Sequence, residues 1–506
     1  GGEFAYRLGQ PALDGFTSLG DLLLKTAALL LVPGDALRTL WVTTTVTYLL
    51  AVLMGVTAAL CLAGGRAPRV GALAALAVTL TPGLAEGSAY LLGTPLYLAL
   101  LALAAILFCE CWQGAGRATE PALGALALAL VIARPEGAPV AMTLLALRAA
   151  RAPRPNRSWL ALVLFLVGLA AYLGWRTAVF GYWAPNSYYA KTSATRWNEV
   201  RDGLSYLWAF VTGEFVLPAS RLGRGLGAGV GAALLGWVFL APLVVRRSSF
   251  SQAKDWRQAT ALWAAATAAL LTVVWSGGDC YRGARFLAPM SLLALLSAAV
   301  VASGARGPAR VAALALLAGV LCLRTAEVLP GAGDKFAAMS QGGLSERDFV
   351  CERELAERLA DALPEGRMAQ RHLQSAAYFA PALELLDLTG INHREIAHRP
   401  ETGPVRFGRN ALDVALAEDV ELIHLHHLPL LGAPAAEHRL NELLARPDLG
   451  LLLLGDPLPT GELAAELARR YRTASLEVCG PGRWFNCLVR ADLAPALRRA
   501  GFLVAD

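Results

Sequence analysis

Ten apolar segments fill the first two thirds of the chain, and no other feature constrains the fold as much. They run at 37–62, 69–83, 87–109, 121–133, 137–149, 158–180, 225–245, 259–275, 286–303 and 310–327. A helix crossing a bilayer core takes about 20 apolar residues, and backbone in lipid must satisfy its hydrogen bonds internally. The expected fold class is therefore an α-helical polytopic membrane protein with about ten apolar segments. Three are short enough for half-helices or re-entrant elements, which puts a margin of about two on the count.

Composition agrees. Charged residues are 17% of the chain, against roughly 25% in a typical soluble domain, while apolar residues are 56% and mean hydropathy is +0.48. These values exclude a disordered chain and an ordinary soluble enzyme. Residues 1–330 carry 26 basic and 14 acidic side chains (+12), and residues 331–506 carry 19 and 25 (−6). A membrane block followed by a water-soluble domain explains that split. No compact basic cluster stands apart from the apolar segments, so nucleic acid is not an expected partner.

Lys and Arg in short loops set orientation. The clusters are Arg66 and Arg69; Arg148, Arg151, Arg154 and Arg157; Arg246, Arg247, Lys254 and Arg257; and Arg306 and Arg310. If all ten segments cross, the four clusters share one side, assigned as cytoplasmic. Residues 1–36, 181–224, 276–285 and everything after 328 then face outward. Three regions follow: an outer-face loop at 1–36, a transmembrane domain at 37–328 and an extracytoplasmic domain at 329–506. Phe16 to Val32 is amphipathic and reads either as a helix in the outer interface or as a packed loop helix. The chain opens Gly1-Gly2-Glu3-Phe4 with no signal-peptide pattern. An outside N-terminus then implies a further helix upstream, so the start reads as cut.

The tail alternates strand and helix patterns, which points to an α/β domain. Leu383–Leu388 and Val420–His424 read as strands, Ala435–Ala445 and Gly461–Arg470 as helices, and Ser475–Cys479 with Trp484–Val489 as a hairpin. The chain has eight cysteines and no CxxC. Cys479 and Cys487 flank the hairpin turn and are either a disulfide or two thiols. His424, His426 and His427 match no zinc spacing and are expected at a strand end. No metal site is assigned.

Three polar clusters fall on the expected outer face. The first is Ala133-Arg134-Pro135-Glu136-Gly137, between two short apolar segments. An Arg or Glu at membrane depth costs about 2.5–3.5 kcal/mol on insertion scales. The pair therefore reads either as an internal ion pair at a helix break or as the wall of a polar cavity. The second is the run 180–191, whose Tyr182 and Trp183 suit an aromatic belt. Asn186, Tyr188, Tyr189 and Lys191 supply donors and a cation for an anionic or sugar-bearing ligand. The third is the run 275–286, in which Asp279, Arg282 and Arg285 precede an apolar helix. An arginine fork donates two hydrogen bonds to phosphate. A polyprenyl-phosphate sugar suits such a surface: its leaving group needs cations, and the acceptor hydroxyl needs a carboxylate base.

The strings ARPEG (133–137), GYWAPNSYYAK (181–191), GGDCYRGARF (277–286) and LDLTGINHREIA (386–397) resemble the GT-C superfamily of membrane glycosyltransferases. The group most resembled is that of the bacterial cell-wall arabinofuranosyltransferases, which use decaprenyl-phosphate-arabinose. Leu13 to Ser18 also resembles that group's first-loop segment. The resemblance runs through nearly the whole chain in order. It implies a GT-C fold, an outer-face active site in a bacterial plasma membrane and a C-terminal extracytoplasmic domain. Asn186, Tyr188, Tyr189, Lys191, Asp279, Arg282 and Arg285 would lie near the donor phosphate, with Asp14, Arg134 and Glu136 lining the cavity. The partners implied are a polyprenyl-phosphate sugar donor, a glycan or lipid acceptor and membrane lipids. No cofactor is called for, and a divalent cation is allowed. The family's catalytic aspartate sits in an acidic motif of the first outer loop, which would lie upstream of Gly1, so no base is assigned. The alternatives are a transporter or flippase of lipid-linked sugars, a catalytically incomplete GT-C-like protein and a glycan-binding scaffold. Under the enzyme reading the three clusters converge within about two helix diameters, roughly 20 Å.

Overall fold

The structure is a computed structural model, and it describes residues 18–32, 34, 36–64, 67–84, 93–112, 119–151, 155–191, 195–214, 221–278, 284–328, 346–364, 366–370, 380, 382–399, 411–425, 434–444, 461–478 and 484–505. By internal contacts the chain divides into two units. One gathers 18–175 with 196–343, and the other gathers 176–195 with the residues from 344 onward.

Each of the ten apolar segments is a helix. In chain order the helices are α1 (Leu19–Leu31), α2 (Ala36–Ala59), α3 (Pro68–Thr79), α4 (Thr94–Trp112), α5 (Thr119–Ala133), α6 (Gly137–Arg151), α7 (Pro155–Phe180), α8 (Asn186–Lys191), α9 (Arg196–Val211), α10 (Arg221–Val244), α11 (Ala253–Trp275), α12 (Ala288–Gly304) and α13 (Gly307–Val328). Among the described residues six stretches, in α2, α4, α7, α10, α11 and α13, are long and apolar enough to cross a membrane. The other four apolar helices, α3, α5, α6 and α12, are shorter. The expectation of about ten crossings is thus carried to six by length and composition.

The interior of this unit is built around α12. Every residue from Ala288 to Ala302 is buried, which is why its sequence is apolar on all sides rather than on one stripe. The helices α11, α13 and α3 pack along it. The outer helices show the reverse. Trp159, Val163 and Val167 of α7 are 52%, 49% and 63% exposed, and Phe239, Leu240 and Leu243 of α10 are 56%, 58% and 70% exposed. A soluble protein does not leave such a belt in water; this is the surface of a membrane-embedded protein. Helix α1 matches its expected amphipathic character. Ser18 caps it by accepting from the Asp21 amide, Asp21 pairs with Lys25 at 2.7 Å, and Leu30 and Leu31 lie exposed.

One basic residue is not where the loop reading put it. Arg148, counted among the loop arginines, is buried inside the unit. Its Nε donates to Glu120 Oε1 at 3.1 Å, and its Nη2 donates to the Cys111 carbonyl at 2.9 Å. The carboxylate of α5 draws the guanidinium inward, because a charge left in apolar surroundings costs more than an ordered pair. Two of the other basic loops do lie together: the Arg306 amide donates to the Ser249 carbonyl at 2.8 Å.

The second unit holds the tail. Its elements are α14 (Glu346–Ala362), β1 (Arg367–Gln370), β2 (Glu384–Asp387), α15 (Arg394–Ala397), α16 (Leu412–Ala417), β3 (Leu422–His424), α17 (Leu440–Leu444), α18 (Glu462–Arg470), β4 (Tyr471–Glu477), β5 (Trp484–Arg490), α19 (Ala494–Arg499) and β6 (Leu503–Val504). The strands form one sheet in the order β2-β1-β3-β5-β4-β6. β1 is parallel to β2 and β3, and the remaining pairings are antiparallel. Successive strand residues go to opposite faces. Ala369, Leu386, Ile423 and Leu488 enter one core with α16 and α18, while Met368, Leu385, Leu422 and Val489 enter the other with α14 and α19. The expected α/β domain is therefore a sheet covered on both faces.

One detail of the tail departs from expectation, and two further calls are reached only in part. The helix expected over Ala435–Ala445 is a short 3₁₀ turn at Ala435–Glu437 and then α17, because His438 between them takes an extended backbone. Cys487 is a buried free thiol whose cross-strand neighbours are Ala474 and His424, so it does not face a cysteine; Cys479 lies outside the described residues. His424 ends β3 and stacks on Phe485 at 4.9 Å, whereas His426 and His427 lie outside the described residues.

The Glu120–Arg148 pair gives a stability test. Replacing Glu120 by Ala leaves the Arg148 charge buried without its carboxylate and is expected to cost about 3–5 kcal/mol. Thermal unfolding in detergent checks it; a melting temperature equal to wild type would count against the pair.

Candidate functional site

The break between α5 and α6 is the first part of the site. The chain leaves α5 at Ala133, turns through Arg134, Pro135 and Glu136, and re-enters helix at Gly137. Proline disfavours continuation of α5 and the turn reverses the chain, so Arg134 and Glu136 project from one tight corner. Arg134 is 7% exposed. Its Nε donates to Glu136 Oε2 at 3.3 Å, its Nη2 to Glu136 Oε1 at 3.2 Å, and its Nη1 to Thr94 Oγ1 at 2.9 Å. The fork is thus held by a carboxylate from its own turn and a hydroxyl from the start of α4.

Arg285 arrives from the turn before α12. Ala284 just ahead of it takes a left-handed backbone with φ of 51°, a conformation that costs a non-glycine residue about 1–2 kcal/mol. That kink turns Arg285 inward, where it is 5% exposed. Both cations lie near the Phe286 ring: Arg134 Cζ is 4.8 Å and Arg285 Cζ 5.3 Å from its centroid. Cation–π contact of this kind offsets part of the cost of keeping two guanidiniums close together.

Thr94, Tyr97, Arg134, Glu136, Thr272, Arg285 and Phe286 line one pocket. It opens where α4, α6 and α12 begin and where α5 and α11 end. The basic loop pair at Ser249 and Arg306 joins the start of α11 to the end of α12, so it lies at the opposite end of the bundle. Thr94 and Tyr97 were not singled out from the sequence. Their signal was present: two hydroxyl side chains at i and i+3, on one face of an otherwise apolar helix.

The second cluster stands in the other unit. Gly181 has φ of +81°, and a Cβ there would lie 2.7 Å from an Arg394 nitrogen. The chain then packs an aromatic group onto α15 and its flanks. Tyr182 stacks on His398 at 4.0 Å, Tyr189 lies 4.3 Å from the same ring, and Arg394 Cζ sits 4.7 Å over Tyr182. Tyr188 joins between Trp183 at 5.9 Å and Tyr189 at 5.6 Å. Asn186 Nδ2 donates to the carbonyls of Gly390 at 2.7 Å and Ile391 at 2.9 Å. Both amide protons that the sequence reading offered to a ligand are engaged by the turn at 388–392. That turn is fixed in its own right. Asp387 accepts from the Thr389 amide and hydroxyl and from the Asn392 amide. The strings GYWAPNSYYAK and LDLTGINHREIA are therefore two sides of one packed substructure.

Of the expected site residues, Arg134, Glu136 and Arg285 are brought together in one pocket. Asn186, Tyr188 and Tyr189 are gathered in the other unit. Asp14, Asp279 and Arg282 lie outside the described residues, as does the side chain of Lys191. Among the described residues no group of three or more His, Cys, Asp or Glu side chains is placed to hold a metal ion.

Two expected outcomes follow from this geometry. A Cβ at Gly137 would lie 2.7 Å from the Leu130 carbonyl oxygen and 3.1 Å from the Tyr97 ring. Gly137→Ala should lower stability by about 1–3 kcal/mol, since backbone cannot yield as a flexible side chain would; an unchanged unfolding transition would contradict the close packing. Burial pushes the Asp387 carboxyl above its ordinary value, against the hydrogen bonds that lower it. The folded chain then holds this proton more tightly than the unfolded chain, whose value is near 3.9. The stability it contributes is greatest below that value and falls as pH rises through the raised one. Wild type should lose stability relative to Asp387→Asn as pH climbs from about 4, and denaturation across that range reads it. Comparison of the chain with protein-family models, with curated proteins and with solved structures finds no match.

Proposed function

We propose that the chain is an integral membrane glycosyltransferase of GT-C type. It moves a sugar, arabinofuranosyl by the resemblance of its strings, from a polyprenyl-phosphate donor to a cell-envelope glycan or lipid acceptor. The reaction is placed at the outer face of a bacterial plasma membrane, with the C-terminal domain on that side.

One observation carries the reading. The ARPEG turn and the Arg285–Phe286 turn are 150 residues apart in sequence, yet they meet around a single ring in one pocket. A phosphate leaving group is stabilised by fixed cations in poorly solvated surroundings, because they need no reorganisation as charge develops. Arg285 supplies such a cation. Arg134, tied to Glu136, supplies the field without a net charge of its own. The pocket lies at the end of the bundle opposite the Ser249–Arg306 contact, whose flanks carry Arg246, Arg247, Lys254 and Arg310. Under the positive-inside rule that end is cytoplasmic, and the pocket then faces out. The acceptor hydroxyl still needs a base, and the engagement of Glu136 by Arg134 argues against Glu136 in that role.

The flippase reading draws on the Glu120–Arg148 pair, since ionisable groups inside a bundle mark transport paths in many carriers. One assay separates the two. The purified chain in liposomes is given a synthetic polyprenyl-phosphate arabinofuranose with an acceptor, and release of polyprenyl phosphate is followed together with movement of the intact donor. Release is expected, and Arg285→Ala should lower its rate about a hundredfold or more. Donor movement without sugar release would replace the transferase by the flippase, and release indifferent to Arg285 would remove the phosphate role.

A further inference from the structure

The pocket contains a buried hydroxyl that the reading above does not use. Tyr97 is 1% exposed, lines the pocket, and its hydroxyl has no hydrogen-bond partner among the described residues. A buried polar group without a partner costs about 1–3 kcal/mol, so its retention asks for a reason. The ring is not free to turn elsewhere, because it lies against the backbone at Gly137, where even a Cβ would come within 3.1 Å of it.

The surroundings specify what such a hydroxyl would meet. The pocket has a volume of about 20 Å³, room for a single oxygen-sized group. The starts of α4, α6 and α12 border the pocket through Thr94, Glu136 and Pro289, and each helix start carries partial positive charge. Among the described residues the charged side chains in the lining are Arg134, Arg285 and Glu136. A neutral tyrosine hydroxyl can donate or accept, and beside cations the field favours its donating to an anionic acceptor.

We propose that the Tyr97 hydroxyl donates a hydrogen bond to one oxygen of a bound phosphate group, with Arg285 beside it and the rest of the ligand in the pocket mouth. This deepens the donor reading, on which it rests for a lipid as the bearer of that phosphate. It makes Tyr97 a ligand-contact residue at the start of α4.

Tyr97→Phe tests it cleanly, because the substitution removes only an oxygen that has no partner among the described residues. The purified full chain in detergent is titrated with farnesyl phosphate, farnesol and inorganic phosphate, and binding is read by calorimetry and by thermal shift. Expected is farnesyl phosphate binding to wild type, weakened about tenfold or more in Tyr97→Phe, with no loss of stability in the unliganded variant. Farnesol should show no dependence on Tyr97. Inorganic phosphate binding as tightly as farnesyl phosphate, with the same Tyr97 dependence, would support the phosphate seat and identify a free anion as its occupant. Equal farnesyl phosphate affinity in wild type and Tyr97→Phe would overturn the proposal, and so would a wild type that takes neither phosphate probe. Sugar release is assayed on the same samples. Tyr97-dependent binding without release leaves the phosphate seat and removes the transferase, whereas release with Tyr97-independent binding does the reverse.

Discussion

A guanidinium cannot stand alone among apolar helices, and the way Arg134 is satisfied organises one end of the membrane unit. Three hydrogen bonds tie it to a carboxylate two residues away and a hydroxyl forty residues away, and its face rests on Phe286. Those contacts tie the α5–α6 turn to the start of α4 and the approach to α12. The pocket lies where those turns meet. The cation that makes the break tolerable therefore also makes the site.

The second unit shows a different economy. Its sheet reads as two interleaved apolar faces, and the polar residues of its strings mostly serve one another. Asp387 and Asn186 spend their hydrogen bonds on backbone at 388–392, and Tyr182 and Tyr189 share the ring of His398. An Asn and two tyrosines in an aromatic run look like ligand donors when read as a string. The packed structure gives them neighbours within the chain, and Trp183 remains as the exposed edge of the group at 57%.

Much of the architecture was legible beforehand. The apolar segments, the strands at Leu383–Leu388 and Val420–His424, and the hairpin all rest on local periodicity. What was missed has local sequence without a clear period. α9 mixes Trp197, Trp208 and Arg201 with a buried face of Gly203, Tyr206 and Phe210. β1 is four residues long and acquires its place only by pairing with β2 and β3. Arg148 could not be told from a loop arginine, because its partner Glu120 lies 28 residues away. Within the site, Arg134, Glu136 and Arg285 announced themselves by charge among apolar residues. Thr94 and Tyr97 did not, since a threonine and a tyrosine at a helix start are ordinary near a membrane surface.

Composition and periodicity by themselves pointed to a membrane-embedded chain with an α/β tail, because burial of apolar surface follows from spacing along the chain. Which polar groups share a pocket was decided only by tertiary structure. A hydrogen bond or cation–π contact depends on distance in space. Arg134 and Phe286 are 4.8 Å apart across a separation that no local pattern records.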